Sequence, residues 1–179
     1  DAAKLYALLD RPEQALRLYE QAYALAQEMG DQRAAGEALV GRGRAYLSLG
    51  QCTEAVQSYQ TVLAAAQSAN LLDLVNTAQI ELGKYYRDQG EAAQALAAMQ
   101  AVLAAATAAD DLSTQAWALT EIGRAYRDLG DYAEAQAHYE EAIVLAQRLG
   151  NTPLLTQIQI DRSKVLRLNG QVQEAVLAL

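Results

Sequence analysis

Gly50, Gly90, Gly130 and Gly170 stand 40 residues apart, and Gly43, Gly83 and Gly123 repeat that interval seven residues upstream. These two series take seven of the chain's 11 glycines. A fixed period of this length constrains the fold more than any local propensity, because each unit must be one supersecondary element that buries its apolar side against its neighbours. Other columns keep the interval. Tyr6, Tyr46, Tyr86 and Tyr126 form one, with Leu166 as its fifth member, and Ala15, Ala55, Ala95, Ala135 and Ala175 form another without exception. Tyr19, Tyr59, Met99, Tyr139 and Leu179 form a third.

One unit reads as two helices. From about Ser113 to Leu129 there is no proline and one glycine, and Trp117, Ile122, Ala125 and Tyr126 fall at helical spacings. Gly130 stops that helix, and Asp131 with Glu134 has the D-x-x-E form of a capping box. Ala135, Tyr139, Ala142 and Ala146 then mark one stripe of a second helix ending near Leu149, before Gly150-Asn151. A mid-helix glycine costs up to about 1 kcal/mol relative to alanine, so Gly43, Gly83 and Gly123 are expected to serve close helix approach. Composition agrees: 38 of the 179 residues are Ala, none is Phe and two are Pro, which excludes an all-β fold and a loop-rich scaffold.

A formal net charge of −8 opposes binding to phosphate backbones unless the cations gather on one face. Nucleic acid is therefore not an expected partner. A single cysteine, Cys52, excludes an internal disulfide, and with a single histidine, His138, there is no Cys/His set for zinc. Cys52 falls at a turn and His138 on a second helix, and neither is assigned a chemical role. No cofactor or metal is expected. No apolar run approaches the roughly 20 residues that cross a bilayer, and Asp1-Ala2-Ala3-Lys4 lacks the order of a signal peptide, so a cytoplasmic chain without membrane contact is expected. Catalysis is not expected either: there is no phosphate loop, no nucleophile elbow with a matching histidine, and the carboxylates have basic neighbours.

Ile122-Gly123-Arg124-Ala125-Tyr126, Gly130-Asp131-Tyr132, Glu134-Ala135, Tyr139 and Ala142 resemble the tetratricopeptide repeats (TPR), and the match recurs along essentially the whole chain. The usual family period is about 34 residues, so the chain is similar to a longer-helix subclass with a 40-residue period, seen in bacterial signal-responsive transcription regulators and some eukaryotic adaptors. The resemblance implies an all-α, right-handed superhelical solenoid of antiparallel helix pairs, about four and a half repeats long. Units are expected at about 1–30 (partial), 31–70, 71–110, 111–150 and 151–179 (partial). Neither end carries a polar capping helix, so a fragment of a longer protein is expected. Arg42 and Arg162 depart from a column that is apolar at Leu82 and Ile122, and Ser163 replaces the helix glycine of the last unit.

In the family the first helix of each unit lines the concave groove, and the resemblance carries that expectation here. One first-helix column reads Lys4, Arg44, Lys84, Arg124 and Lys164, and the position three residues on reads Ala7, Leu47, Arg87, Arg127 and Arg167. Eight of the 14 basic residues thus share one face. Against a free basic ladder stand Glu81, Glu121 and Asp161, three residues before those cations, and Asp88 and Asp128, four after Lys84 and Arg124. Arg87, Arg127 and Arg167 are the best carboxylate receivers because a guanidinium binds in bidentate fashion. Trp117 borders the same face, near Val40, Ile80 and Ile160 in register, while Tyr46, Tyr86 and Tyr126 are expected in the interhelical core. The candidate ligand-binding set is Arg44, Lys84, Arg87, Trp117, Arg124, Arg127, Lys164 and Arg167. The family's clamp for a peptide's terminal carboxylate is not reproduced, since acids occupy a column where it places Asn or Arg.

These features predict a protein-interaction module that binds a protein or peptide, acidic in character, in the concave groove. The alternative is the sensory or regulatory arm of a larger bacterial signalling or transcription-regulating protein, closing on a small ligand or on its own effector domain. Self-association through uncapped ends is a third expectation.

Overall fold

The structure, a computed structural model, describes residue 3 and residues 11–177. Lys4, Tyr6, Ala7 and Leu179 lie outside the described residues. Every regular element described is an α-helix: α1 (Pro12–Met29), α2 (Gln32–Ser48), α3 (Cys52–Ser68), α4 (Leu72–Asp88), α5 (Ala92–Ala108), α6 (Leu112–Leu129), α7 (Tyr132–Arg148), α8 (Thr152–Leu168) and the short α9 (Val172–Leu177). The even-numbered helices are the first helices of the 40-residue units.

Helix ends follow local chemistry. Each turn reverses through a left-handed residue, and the position that is Gly30 and Gly150 is filled by Asn70 and Asp110 between them, with φ of 55° and 53°. These are the non-glycine types that tolerate this region best. Behind each such residue the next amide closes a Schellman bond, as from Asp131 N to Tyr126 O at 2.9 Å. Asp31, Asp111, Asp131 and Asn151 cap the helices that follow by accepting from backbone amides, and Asp131 takes Glu134 N at 3.3 Å, as the capping box predicts.

The chain divides into two compact units, residues 1–82 and 83–179. In the first, Leu39, Tyr59, Val62 and Ala66 are buried, and an added Cβ at Gly43 would stand 2.5 Å from the Tyr59 ring. In the second, Leu119, Tyr139, Ala142, Ala146, Ile158 and Val165 form the core. There Gly123 faces the Tyr139 ring, with Cε1 2.7 Å from an ideal Cβ, and Gly83 faces the Met99 methyl. The glycine column is therefore a row of sockets, each filled by the side chain 16 residues on. Full burial goes to Tyr59 and Tyr139 at 0% exposure, whereas Tyr46, Tyr86 and Tyr126 are half-buried. A ring seated over a bare Cα is enclosed, whereas Tyr126 packs against the core with part of its ring exposed.

Candidate functional site

The basic ladder is woven into the contacts between successive first helices. In residues 1–82, Arg44 Nη2 donates to Glu81 Oε1 at 2.8 Å, and near the start of the same helices Arg33 grips Asp73 with two bonds of 2.5 and 3.1 Å. In residues 83–179 the pairs run on without interruption. Arg87 binds Glu121, whose other oxygen receives Arg124 Nη1 at 2.5 Å. Arg124 also donates through Nε and Nη2 to Asp161 Oδ2, at 2.8 and 2.6 Å, and Asp161 Oδ1 accepts from Lys164 Nζ at 2.9 Å. The result is a relay Arg87–Glu121–Arg124–Asp161–Lys164 across α4, α6 and α8.

The acids are its buried members, with Glu121 and Asp161 side chains 8% and 3% exposed. Burial alone would raise the Asp161 pKa, yet the bonds from Lys164, Arg124 and Gln157 hold it below the usual aspartate value. Burial likewise acts to lower the Arg124 pKa, and Glu121 and Asp161 reverse that, so the guanidinium stays charged. The hydroxyls of Tyr59 and Tyr139 are buried behind these pairs and find no hydrogen-bond partner among the described residues. Their pKa values are pushed up by burial first and by Glu81 or Asp161 second.

Two ladder cations stand apart. Arg127 bonds the neighbouring Asp128, at 2.8 Å from Nε, and among the described residues reaches no acid of another helix. The Arg167 residue is exposed, and its guanidinium makes no hydrogen bond or ion pair among the described residues. With Lys164 and Leu168 they border an open cleft of about 690 Å³ on α6 and α8. The Asp88 and Asp128 carboxylates pair with Arg87 and Arg127 beside them. Trp117 is half-buried on α6 with Lys84 Nζ 6.0 Å from its ring centroid, a cation–π contact.

The remaining singled-out residues have structural surroundings. Cys52 opens α3, half-buried, and His138 stacks on Tyr126 with ring centroids 5.2 Å apart. Arg42 lies over the Tyr23 ring and donates to Ser58, and Arg162 donates to Glu140. Ser163, in the glycine column, returns its hydroxyl to Ile160 O. Among the described residues no group of His, Cys, Asp or Glu could hold a metal ion, and no helix is long and apolar enough to cross a membrane.

Spacing within one helix identifies cations near each acid, and the partners on the preceding helix come from stacking. The spacing is in the sequence: Glu81 and Asp161 lie 37 residues after Arg44 and Arg124, and Glu121 lies 34 after Arg87.

The chain resembles several solved structures in fold. It matches nearly identical TPR-like repeats from Podosopora anserina at 22% identity, covering 99% of this chain and 88% of that one, with a TM-score of 0.83. BtubC from P. vanneervenii matches at 21% identity over 99% of this chain and 74% of that one, TM-score 0.90. A Rap protein complexed with Competence and Sporulation Factor matches at 17% identity, TM-score 0.76, where 99% of this chain spans 50% of that one. At these identities the likeness is one of fold. No curated protein matches the sequence significantly. The tetratricopeptide-repeat profile matches residues 1–68, 74–143 and 114–179. With its 40-residue helix pairs, left-handed turns and socketed glycines, the chain belongs to the tetratricopeptide-repeat family.

Proposed function

We propose that this chain is a protein-interaction module whose concave first-helix groove receives an acidic segment of a partner protein. The observation that carries the reading is the cleft of Arg127, Lys164, Arg167 and Leu168: three cations and an apolar side chain line it, and no carboxylate does among the described residues. Arg44, Arg87 and Arg124 serve the fold, because buried acids hold them. Trp117 and Lys84 supply apolar and cationic surface beside them on the same face. The function is binding, with no bond made or broken. Family membership supports an interaction role, as does the Rap relative complexed with a factor. That complex also favours a second reading, the sensory arm of a larger signalling protein. It differs in predicting a free small ligand as the occupant.

The test is a screen of randomised 12-residue peptides against the chain. Acidic sequences should be enriched, and their affinity should fall as salt rises. Arg127→Ala should cost about 1–3 kcal/mol of binding if its guanidinium makes a charged hydrogen bond. Enrichment of neutral peptides, indifferent to salt and to that substitution, overturns the reading.

A further inference from the structure

The array contains its own template for how a first helix receives the next one. Arg44 takes Glu81, Arg87 takes Glu121 and Arg124 takes Asp161, each cation reaching a carboxylate on the first helix that follows. Glu121 shows the complete arrangement, gripped by Arg87 from α4 and by Arg124 of its own helix. The same two columns on α8 hold Lys164 and Arg167. Lys164 is half-exposed and leans on Asp161, and no described carboxylate reaches Arg167.

A substitution within the repeat accounts for that. Where Asp88 and Asp128 follow Arg87 and Arg127 and pair with them, Leu168 follows Arg167. The arginine loses its adjacent neutralising acid, and an apolar side chain 58% exposed takes that acid's place. Ile160, 37% exposed, stands where α6 has the buried Thr120. Ile160, Lys164, Arg167 and Leu168 are spaced i, i+4, i+7 and i+8, so they share one face of α8. Cations flanked by exposed apolar side chains match an amphipathic helix that carries acid and apolar residues on one stripe, and a uniformly acidic strand would leave Ile160 and Leu168 unmet.

We infer that this face of α8 docks an acid-bearing α-helix of a partner, with its carboxylate set against Lys164 and Arg167 and its apolar side chains against Ile160 and Leu168. The inference rests on the interaction-module reading and specifies the form of the partner segment.

The experiment uses the chain's own acid-bearing helix as the probe: a fluorescein-labelled peptide of residues 112–129, titrated against the whole chain by anisotropy. Saturable binding is expected. Glu121→Gln in the peptide and Arg167→Gln in the chain should each weaken it about tenfold, the loss of a charge-assisted hydrogen bond. Ala118→Pro in the peptide should abolish it by breaking the helix. Because Arg167 is exposed and unpaired among the described residues, the Arg167→Gln chain should keep its melting temperature, which separates lost docking from lost folding. Undiminished binding of the Glu121→Gln or Ala118→Pro peptide overturns the inference. So does concentration-dependent self-association of the chain that Leu168→Lys removes, which would assign the face to a second copy. If the 112–129 peptide fails while acidic 12-residue peptides bind, the helical form falls and the groove reading stands; if neither binds, both fall.

Discussion

At the scale of single residues, Gly123 and Tyr139 show why an unfavourable helix residue persists. Alanine would improve helix propensity by up to about 1 kcal/mol, but its Cβ would stand 2.7 Å from an atom of a fully buried ring. Overpacking of that kind costs about 1–3 kcal/mol. Gly123→Ala should therefore lower the urea midpoint, and Gly83→Ala should do so less, since its neighbour is the end of the flexible Met99 side chain. A stabilised Gly123→Ala variant would show that the ring can shift. Asp161 makes a second residue-scale prediction. Its folded pKa lies below its unfolded value of about 3.9, so the stability it contributes is complete above that pH and disappears as pH falls through the lower folded pKa. Asp161→Asn should weaken the fold at neutral pH and flatten the acid limb of its stability curve below about pH 4. An unchanged acid limb would remove Asp161 from the acid response.

Whole helices depend on how they begin. Asp111 accepts from the Ser113 and Thr114 amides at 3.1 Å each and from the Thr114 hydroxyl at 2.5 Å, and these bonds, the hydroxyl first, hold its pKa below the usual value. Glu91, at the same place before α5, makes no capping bond. Asp111→Ala should cost about 1 kcal/mol, and Glu91→Ala should change stability little. Equal losses from the two, measured by thermal melting, would mean that charge near the helix start matters more than the cap geometry. α5 can dispense with a cap because its stability comes from packing: Ala92, Ala95, Ala98, Met99, Val102 and Ala106 are buried.

Across the molecule, a chain of net charge −8 sorts its cations by depth. Arg124 sits between two buried carboxylates, and removing it leaves Glu121 to Arg87 alone and Asp161 to Lys164 and Gln157. Arg124→Ala should destabilise by about 3 kcal/mol, in the range for breaking a buried pair. Arg127→Ala removes a pair with a neighbour on its own helix and should change stability by less than about 1 kcal/mol. The two substitutions thus separate structure from binding: the first should act on unfolding and the second on partner affinity. Similar losses of stability from both would dissolve the distinction between relay and cleft.

Much of this architecture can be read directly from the residue string. The 40-residue spacing is visible as recurrence, and the helix-stopping glycines and the Asp and Asn caps are local signals, because backbone φ and first-turn hydrogen bonds depend on residues within a turn of one another. The shared face of the ladder is legible for the same reason: spacings of three and four fix a helical stripe. Which cations on that stripe remain available was decided by tertiary structure alone. Arg87 and Arg124 find their acids 34 and 37 residues away, a pairing set by how successive first helices stack, whereas Arg127 turns to Asp128 and Arg167 is left exposed. Burial of Tyr59 and Tyr139 rather than Tyr46, Tyr86 and Tyr126 has the same origin. A repeat specifies which residues recur, and only the packed helices determine which neighbour each one meets.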